Sequence, residues 1–182
     1  DKYRKIAQLK ILLAGGSGMV GSFITPYLQK EHDIRVLDLA EPKHDGVEFV
    51  RGSVTDPEAI AKAVDGVDAF IWLVMLSPQG GSVTDQDLKV IRENYEVNCL
   101  GLHTFLWLAQ GVGLSKGVYT SSMSVHHRSR DYYKNEDQLP LDTPSAYGLS
   151  KGFGEGICSY FASWFDMNIT ALRITGPRGR EA

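Results

Sequence analysis

The chain has 182 residues, 43% of them apolar and 23% charged, with a formal net charge of −3 at pH 7. That length suits one sizeable domain and is short for two, and the mixed charge signs argue against a nucleic-acid or anionic-membrane partner. The longest apolar run, Ala69 to Leu76, falls far short of a bilayer span and no charged-then-apolar leader opens the chain, so a cytoplasmic protein is expected.

The first element is a strand, Ile11-Leu12-Leu13, which runs into Ala14-Gly15-Gly16-Ser17-Gly18-Met19-Val20-Gly21. Glycines at 15, 18 and 21, where a strand turns into a helix, let backbone N–H groups and a helix N-terminus approach a pyrophosphate. Alone, such a turn serves purely structural ends just as often. The spacing of Met19, Val20, Phe23, Ile24, Tyr27 and Leu28 predicts a helix over 17–31. Ile34 to Leu37 then reads as a strand ending in Asp38, 17 residues after Gly21. A βαβ unit brings an acid at about that distance to an adenosine ribose. An ionised carboxylate there accepts hydrogen bonds from both ribose hydroxyls and repels a 2′-phosphate, which favours NAD over NADP. A solvated acid at a strand end is the plainer alternative.

Val47 to Val50 is a further short strand. Asp56-Pro57 supplies an N-cap and a first-turn proline for a helix whose buried face is Ile60, Ala63 and Val64. A strand from Ala69 to Leu73 follows, then a turn-rich loop, Ser77 to Ser82. A long helix is predicted over 85–110, with Leu88, Ile91, Tyr95, Asn98, Leu102, Phe105, Leu106 and Ala109 on its stripe. Lys116 to Ser121 is a strand, His126 to Pro144 an irregular connection whose charges read as solvated surface, 145–165 a helix, and Asn168 to Ile174 a last strand. Strands alternating with helices mean an α/β, doubly wound (Rossmann-type) parallel sheet with helices on both faces. Ligands bind such sheets beyond the carboxyl ends of the strands. Cys99 and Cys158 lack metal-ligand spacing and read as apolar fillers in a reducing compartment, and the adjacent His126 and His127 point apart; no metal site is expected.

Tyr119-Thr120-Ser121-Ser122 ends one strand, and Tyr147-Gly148-Leu149-Ser150-Lys151 follows near the start of a helix. Tyr147 and Lys151, four apart, share a helix face. A phenol with an ordinary pKa of about 10 is a poor base near neutrality. A neighbouring ammonium and the positive charge of an oxidised nicotinamide are expected to pull it down, so that the tyrosine takes the proton of a substrate hydroxyl while the carbon gives up hydride. A serine hydroxyl aimed at the same oxygen aligns it. Against this, Tyr-x-x-x-Lys recurs by chance, with a packed tyrosine and a solvated lysine. Its order behind the glycine turn favours chemistry.

Taken together, Gly15-x-x-Gly18-x-x-Gly21, Asp38, Val67-Asp68-Ala69-Phe70-Ile71-Trp72-Leu73, Asn98 in Val97-Asn98-Cys99-Leu100-Gly101, Tyr119-Thr120-Ser121-Ser122, Tyr147-x-x-x-Lys151 and Leu172-Arg173-Ile174-Thr175-Gly176-Pro177 make the chain resemble a known family. This is the extended short-chain dehydrogenases/reductases, the NAD-dependent epimerase/dehydratase group, and the resemblance covers nearly the whole chain. It implies Tyr147 as catalytic base, Lys151 as the residue that holds the nicotinamide ribose, and Ser122 as the residue that aligns the substrate. Ser122 is preferred to the neighbouring Ser121 and Ser124 by the family's Ser-Ser-x-x-Val pattern. It further implies NAD seated against Gly15, Gly18, Met19, Val20, Gly21, Asp38, Ser53, Leu73, Asn98, Tyr147 and Lys151. The expected activity is oxidation or epimerisation at a hydroxyl of a sugar or sugar derivative, in a homodimer built on the 85–110 and 145–165 helices. Glycines 152, 154 and 156 would let a second subunit approach. The family's substrate-binding region would lie largely beyond Ala182.

Departures from the pattern narrow this. Ala14 stands for a threonine, and Ser53 for an aspartate that would meet the adenine amino group. Ile174-Thr175 replaces an asparagine that commonly holds a sugar nucleotide. Met123-Ser124 lacks the Asp-Glu of dehydratases. The run from Tyr147 to Glu155 looks more like uronate dehydrogenases. A dinucleotide-sensing regulator or scaffold on the same fold is the alternative, disfavoured because Tyr147 and Lys151 are both retained.

Overall fold

Ile11, Leu12, Leu13 and Ala14 are each at most 6% exposed, and a strand buried on both sides has to sit inside a sheet covered front and back. The computed structural model, which describes residues 7–76, 86–129 and 140–175, places it there. Strands β1 (Lys10–Ala14), β2 (Asp33–Asp38), β3 (Glu48–Arg51), β4 (Ala69–Trp72), β5 (Lys116–Ser122) and β6 (Asn168–Ile174) form one sheet in the order β3-β2-β1-β4-β5-β6. Every pairing is parallel. This is the doubly wound sheet expected from the alternation of elements. The chain reverses direction across the sheet between β1 and β4, and ligand crevices open at such a switch point.

Alternate β1 residues serve different faces. Ile11 and Leu13, with Ile34 and Val36, pack against Val20, Ile24 and Leu28 of helix α1 (Met19–Leu28). Leu12 and Ala14, with Phe70, Trp72 and Tyr119, pack against the opposite layer. That layer is α2 (Pro57–Val64), α4 (Leu102–Gly111) and α5 (Ala146–Phe165), through Ile60, Phe105, Leu106 and Phe161. The Asp56 side chain caps α2 and Ser145 caps α5, each accepting from a first-turn amide. Helix α1 is shorter than the 17–31 span, because residues up to Gly18 are held in the turn by the Gly18 amide donating to the Gly15 carbonyl.

The predicted 85–110 helix is not uniform. It runs as α3 (Leu88–Tyr95), a π-helical segment Glu96–Gly101, and α4. The wider turn buries Asn98 completely. One residue inserted into the backbone ladder leaves the apolar spacing on either side intact, so the 3.6-residue pattern passes over it.

The glycines of α5 also depart from expectation. A Cβ at Gly154 would land on the Tyr119 hydroxyl and one at Gly152 would press on Leu141; only Gly156 faces open space. Two of the three therefore serve the chain's own packing.

The 126–144 connection is more than solvated surface where it is described. Asp142 accepts from the amides of His127, Arg128 and Ser129 and from the Ser129 hydroxyl. His126 is buried. The Ser77 to Ser82 loop, the start of the 85–110 span and Gly176-Pro177 lie outside the described residues. Burial pushes the Cys99 thiol up to about 11 and the Cys158 thiol up to about 12, so both stay protonated at neutral pH. Among the described residues, no group of His, Cys, Asp and Glu is arranged to hold a metal, and no helix is long and apolar enough to cross a membrane.

Candidate active site

A groove of about 370 Å³ opens at the carboxyl ends of β1, β2 and β4, between Gly15, Gly18, Asp38, Ser53, Leu73 and Met75. Its floor is the turn after β1. Gly15 has φ 80°, and a Cβ there would sit 2.8 Å from the Val74 amide nitrogen. That position therefore needs both the left-handed backbone and the missing side chain. Gly21 lies inside α1, where a Cβ would strike the Gly16 carbonyl. It lets helix and turn close on each other and does not line the groove.

No side chain caps α1 and no acid stands in its first turn. The opening amides of a helix lack internal partners, so here they remain available to an anion laid across Gly15 and Gly18. Met19 and Val20 contribute those amides. The Met19 side chain is exposed and Val20 packs under the sheet; neither side chain lines the groove.

Asp38 stands at the far wall. Its Oδ1 accepts from the amides of Leu39 and Ala40, and its Oδ2 from the Ser17 amide at 3.0 Å. A carboxylate offers about four acceptor positions. With three taken by backbone, about one is left for a ribose hydroxyl, where acceptance from both had been expected. The Ser53 hydroxyl pairs with Thr55, bonding its hydroxyl at 2.8 Å and accepting from its amide at 3.1 Å. Leu73 lines the groove while its amide donates to the Ala14 carbonyl.

Asn98 is bonded to three neighbouring segments. Its Oδ1 accepts from the Leu76 amide, and its Nδ2 donates to Asn94 Oδ1, Ser150 Oγ and, at 3.4 Å, the Leu76 carbonyl. It fastens the rim after β4 to α5 and shapes the groove from behind.

Ser122, Tyr147 and Lys151 meet beside the groove, at the carboxyl end of β5. Ser122 Oγ accepts from the Ser124 amide, and its hydroxyl lies close enough to the Tyr147 phenol to act on its proton affinity. Close approach of α5 makes this contact, since a Cβ at Gly148 would fall on Thr143 and the Ser124 carbonyl. The Tyr147 hydroxyl also points at Met75 Sδ, 3.7 Å away. Lys151 is 2% exposed; its Nζ donates to the Thr120 carbonyl at 2.8 Å and to Val74 at 3.2 Å. An ammonium has a third donor, which these bonds leave for a ligand. Val74 and Met75 line the groove, so they join it to Lys151 and Tyr147.

The electrostatics correct one expectation. Burial pushes the Tyr147 phenol above its ordinary value, opposed by the hydrogen bond with Ser122. The ammonium next to it is engaged by backbone carbonyls and does not lower it. Lys151 itself is brought down to about 8, chiefly by burial.

Three residues that carry the site's support were given no role from sequence. Glu155, one turn beyond Lys151, accepts from Ser121 Oγ and pairs with Arg173 through both carboxylate oxygens. Arg173 Nη1 donates to His126 Nε2, and His126 Nδ1 donates to the Pro140 carbonyl. The one available signal was spacing: Tyr147, Lys151 and Glu155 recur every fourth residue.

The glycine cradle, the uncapped helix and the acid at the end of β2 fit a dinucleotide such as NAD. A family model described as "NAD dependent epimerase/dehydratase family" matches residues 11–181. The 3 beta-hydroxysteroid dehydrogenase/Delta 5-->4-isomerase of Mycobacterium tuberculosis is 34% identical over 137 residues, 72% of this chain and 36% of that protein. The NAD-dependent glucose-6-phosphate dehydrogenase of Haloferax volcanii is 30% identical over 183 residues, covering 90% of this chain and 67% of that one. A short-chain dehydrogenase/reductase superfamily protein from Agrobacterium tumefaciens, solved with bound NAD, superposes with a TM-score of 0.79 at 28% identity. That superposition covers 90% of this chain and 48% of the solved one. The chain thus spans about a third of the steroid dehydrogenase and half of the solved relative. The fold, the turn and the family match agree: the chain belongs to the NAD dependent epimerase/dehydratase family, within the extended short-chain dehydrogenases/reductases.

Proposed function

We propose that the chain carries the coenzyme-binding and proton-transfer part of an NAD-dependent enzyme that oxidises or epimerises a secondary alcohol of a sugar or sugar derivative. The supporting observation is the convergence of Ser122, Tyr147 and Lys151 at the end of β5, joined to the groove through Val74 and Met75. NAD, when bound, supplies the hydride acceptor for the carbinol carbon and, in its oxidised form, a positive charge.

The chain's own groups do the rest. Tyr147 accepts the proton of the substrate hydroxyl as the C–H bond breaks and the C=O bond forms. Ser122 donates to the same oxygen and fixes it beside the phenol. Lys151 offers its remaining N–H to the nicotinamide ribose, and Asp38 holds the adenosine ribose and disfavours a 2′-phosphate. Because burial raises the phenol, formation of the tyrosinate depends on the positive charge that arrives with the coenzyme.

A second substrate class has one observation in its favour. The half-exposed Met75 thioether faces the Tyr147 hydroxyl, an apolar wall suited to a lipophilic ring alcohol, and a relative 34% identical is named as a hydroxysteroid dehydrogenase. The assay that separates the two follows NADH absorbance with the full-length protein against sugar acids, sugar phosphates, sugar nucleotides and sterols. Turnover in the sugar classes supports the main reading, and turnover of sterols alone moves the substrate to the second. NAD bound without any turnover would support the sensing alternative.

The reading includes a homodimer through α4 and α5. Exposed Phe153 and Tyr160 line a shallow groove with His103, Gly156 and Ile157, and Trp107 and Trp164 are exposed on the same two helices. A monomeric mass by light scattering of the full-length protein would count against it.

A further inference from the structure

The end of β5 is fastened to α5 rung by rung. The Thr120 carbonyl receives Lys151 Nζ, the Ser121 hydroxyl donates to Glu155 at 2.5 Å, and Ser122 meets Tyr147. Arg173 stands opposite Ser121 in the β5–β6 register and reaches the same carboxylate from the other strand, at 2.9 and 2.8 Å. From Arg173 the contacts pass to His126, just beyond the short turn that holds Ser122, and on to Pro140. Glu155 thus ties both strands to the helix carrying the tyrosine. Burial alone would raise its carboxyl, yet the hydrogen bonds from Arg173 and Ser121 hold it below the usual range, so it is an anion at neutral pH.

We propose that Glu155, acting through Ser121 and Arg173, is a positioning residue that holds Ser122 in register with Tyr147. This rests on the roles proposed above for Ser122 and Tyr147. Glu155 is not among the residues that line the groove; its carboxylate sets the height and rotation of the β5 end relative to α5. Two strands and one helix clamped at a single carboxylate resist the small slippage that would carry the serine hydroxyl away from the phenol. An ångström of misplacement at such a site costs on the order of a hundredfold in rate.

The test uses Glu155→Gln, which keeps the shape and removes the charge, and Ser121→Ala, which cuts the link to β5 and leaves the ion pair. Each is expected to lower kcat by about tenfold or more with KM for NAD within about twofold, and to lose most of its effect when Ser122 is already alanine. Equal losses with and without Ser122, or a fall in thermal stability with kcat unchanged, would overturn the proposal. Ser121→Ala keeps the test available where Glu155→Gln fails to fold. A readout independent of turnover is hydrogen exchange at the Ser124 amide, which Ser122 Oγ protects. It is expected to quicken by about tenfold in Ser121→Ala. Unchanged exchange overturns the proposal even where kcat falls. If the parent turns over no alcohol, the functional reading fails and the exchange measurement still decides the positioning role.

Discussion

Tyr147 and Lys151 stand one turn apart on α5 yet answer to different partners: the phenol to Ser122 and Met75, the ammonium to the carbonyls of Thr120 and Val74. The lysine is therefore a buried cation held by dipoles, and its cost shows in the pH dependence of stability. Folded, it titrates near 8; unfolded, near 10.5. Between those values the unfolded chain binds more protons, so stability rises with pH, and below about 8 the burial penalty is fully present. From pH 8 to 9.5 the parent should gain on the order of 2 kcal/mol relative to Lys151→Met in denaturant unfolding. A gap that does not change with pH would contradict this.

Asp38 braces the turn by accepting from the Ser17 amide, and in the function proposed above it also faces the ribose. Asp38→Ala is expected to lower the preference for NAD over NADP by about tenfold or more, a shift of about 1.4 kcal/mol. NAD affinity should fall in the same variant, because Ser17 loses its acceptor. Titrating both coenzymes by fluorescence checks the pair of effects, and an unchanged ratio would mean that the carboxylate does not meet the ribose.

Gly154 and Gly156 lie on the same helix and should respond in opposite directions. Gly154→Ala forces a methyl group onto the Tyr119 hydroxyl, which itself donates to the Lys151 carbonyl. A cost of about 1–3 kcal/mol is expected from overpacking, read as a Tm several degrees lower. Gly156→Ala meets nothing within 4 Å and replaces a helical glycine, so a gain of about 0.5–1 kcal/mol is expected in the monomer.

Asp142 clasps the loop after β5 by accepting amides from His127, Arg128 and Ser129. These bonds, that from His127 foremost, hold its carboxyl well below the usual carboxylate range. A depressed carboxyl stabilises the fold above its unfolded pKa and loses that contribution as pH falls through the folded value. In Asp142→Asn, amide exchange at 127–129 should quicken by about tenfold at neutral pH. Exchange equal to that of the parent would show the clasp to be idle.

Legibility in the sequence followed the range of the interaction. Strand β6 and helix α5 could be read to within a residue, the helix opening directly after its Ser145 cap and the largely exposed strand following three residues beyond the helix end. The glycine turn and the Tyr147-x-x-x-Lys151 pair are local patterns and were equally plain. The π segment was not, since the stripe on either side of Asn98 keeps its period across it. Nor was the pairing of Glu155 with Arg173, which depends on the β5–β6 register bringing Arg173 opposite Ser121. The upward direction of the Tyr147 shift also escaped, because residue spacing reports that a lysine is near but not how deeply the phenol is buried.

The most direct test of the central claim is Tyr147→Phe in the full-length protein, with kcat for alcohol oxidation and Kd for NAD measured on the same preparation. Loss of one positioned phenol hydroxyl should cut kcat by roughly 10²–10⁴-fold, the usual worth of a general base, while NAD binding stays within about twofold. Turnover that survives the substitution, or NAD affinity that collapses with it, would contradict the assignment of the tyrosine as the group that takes the substrate's proton.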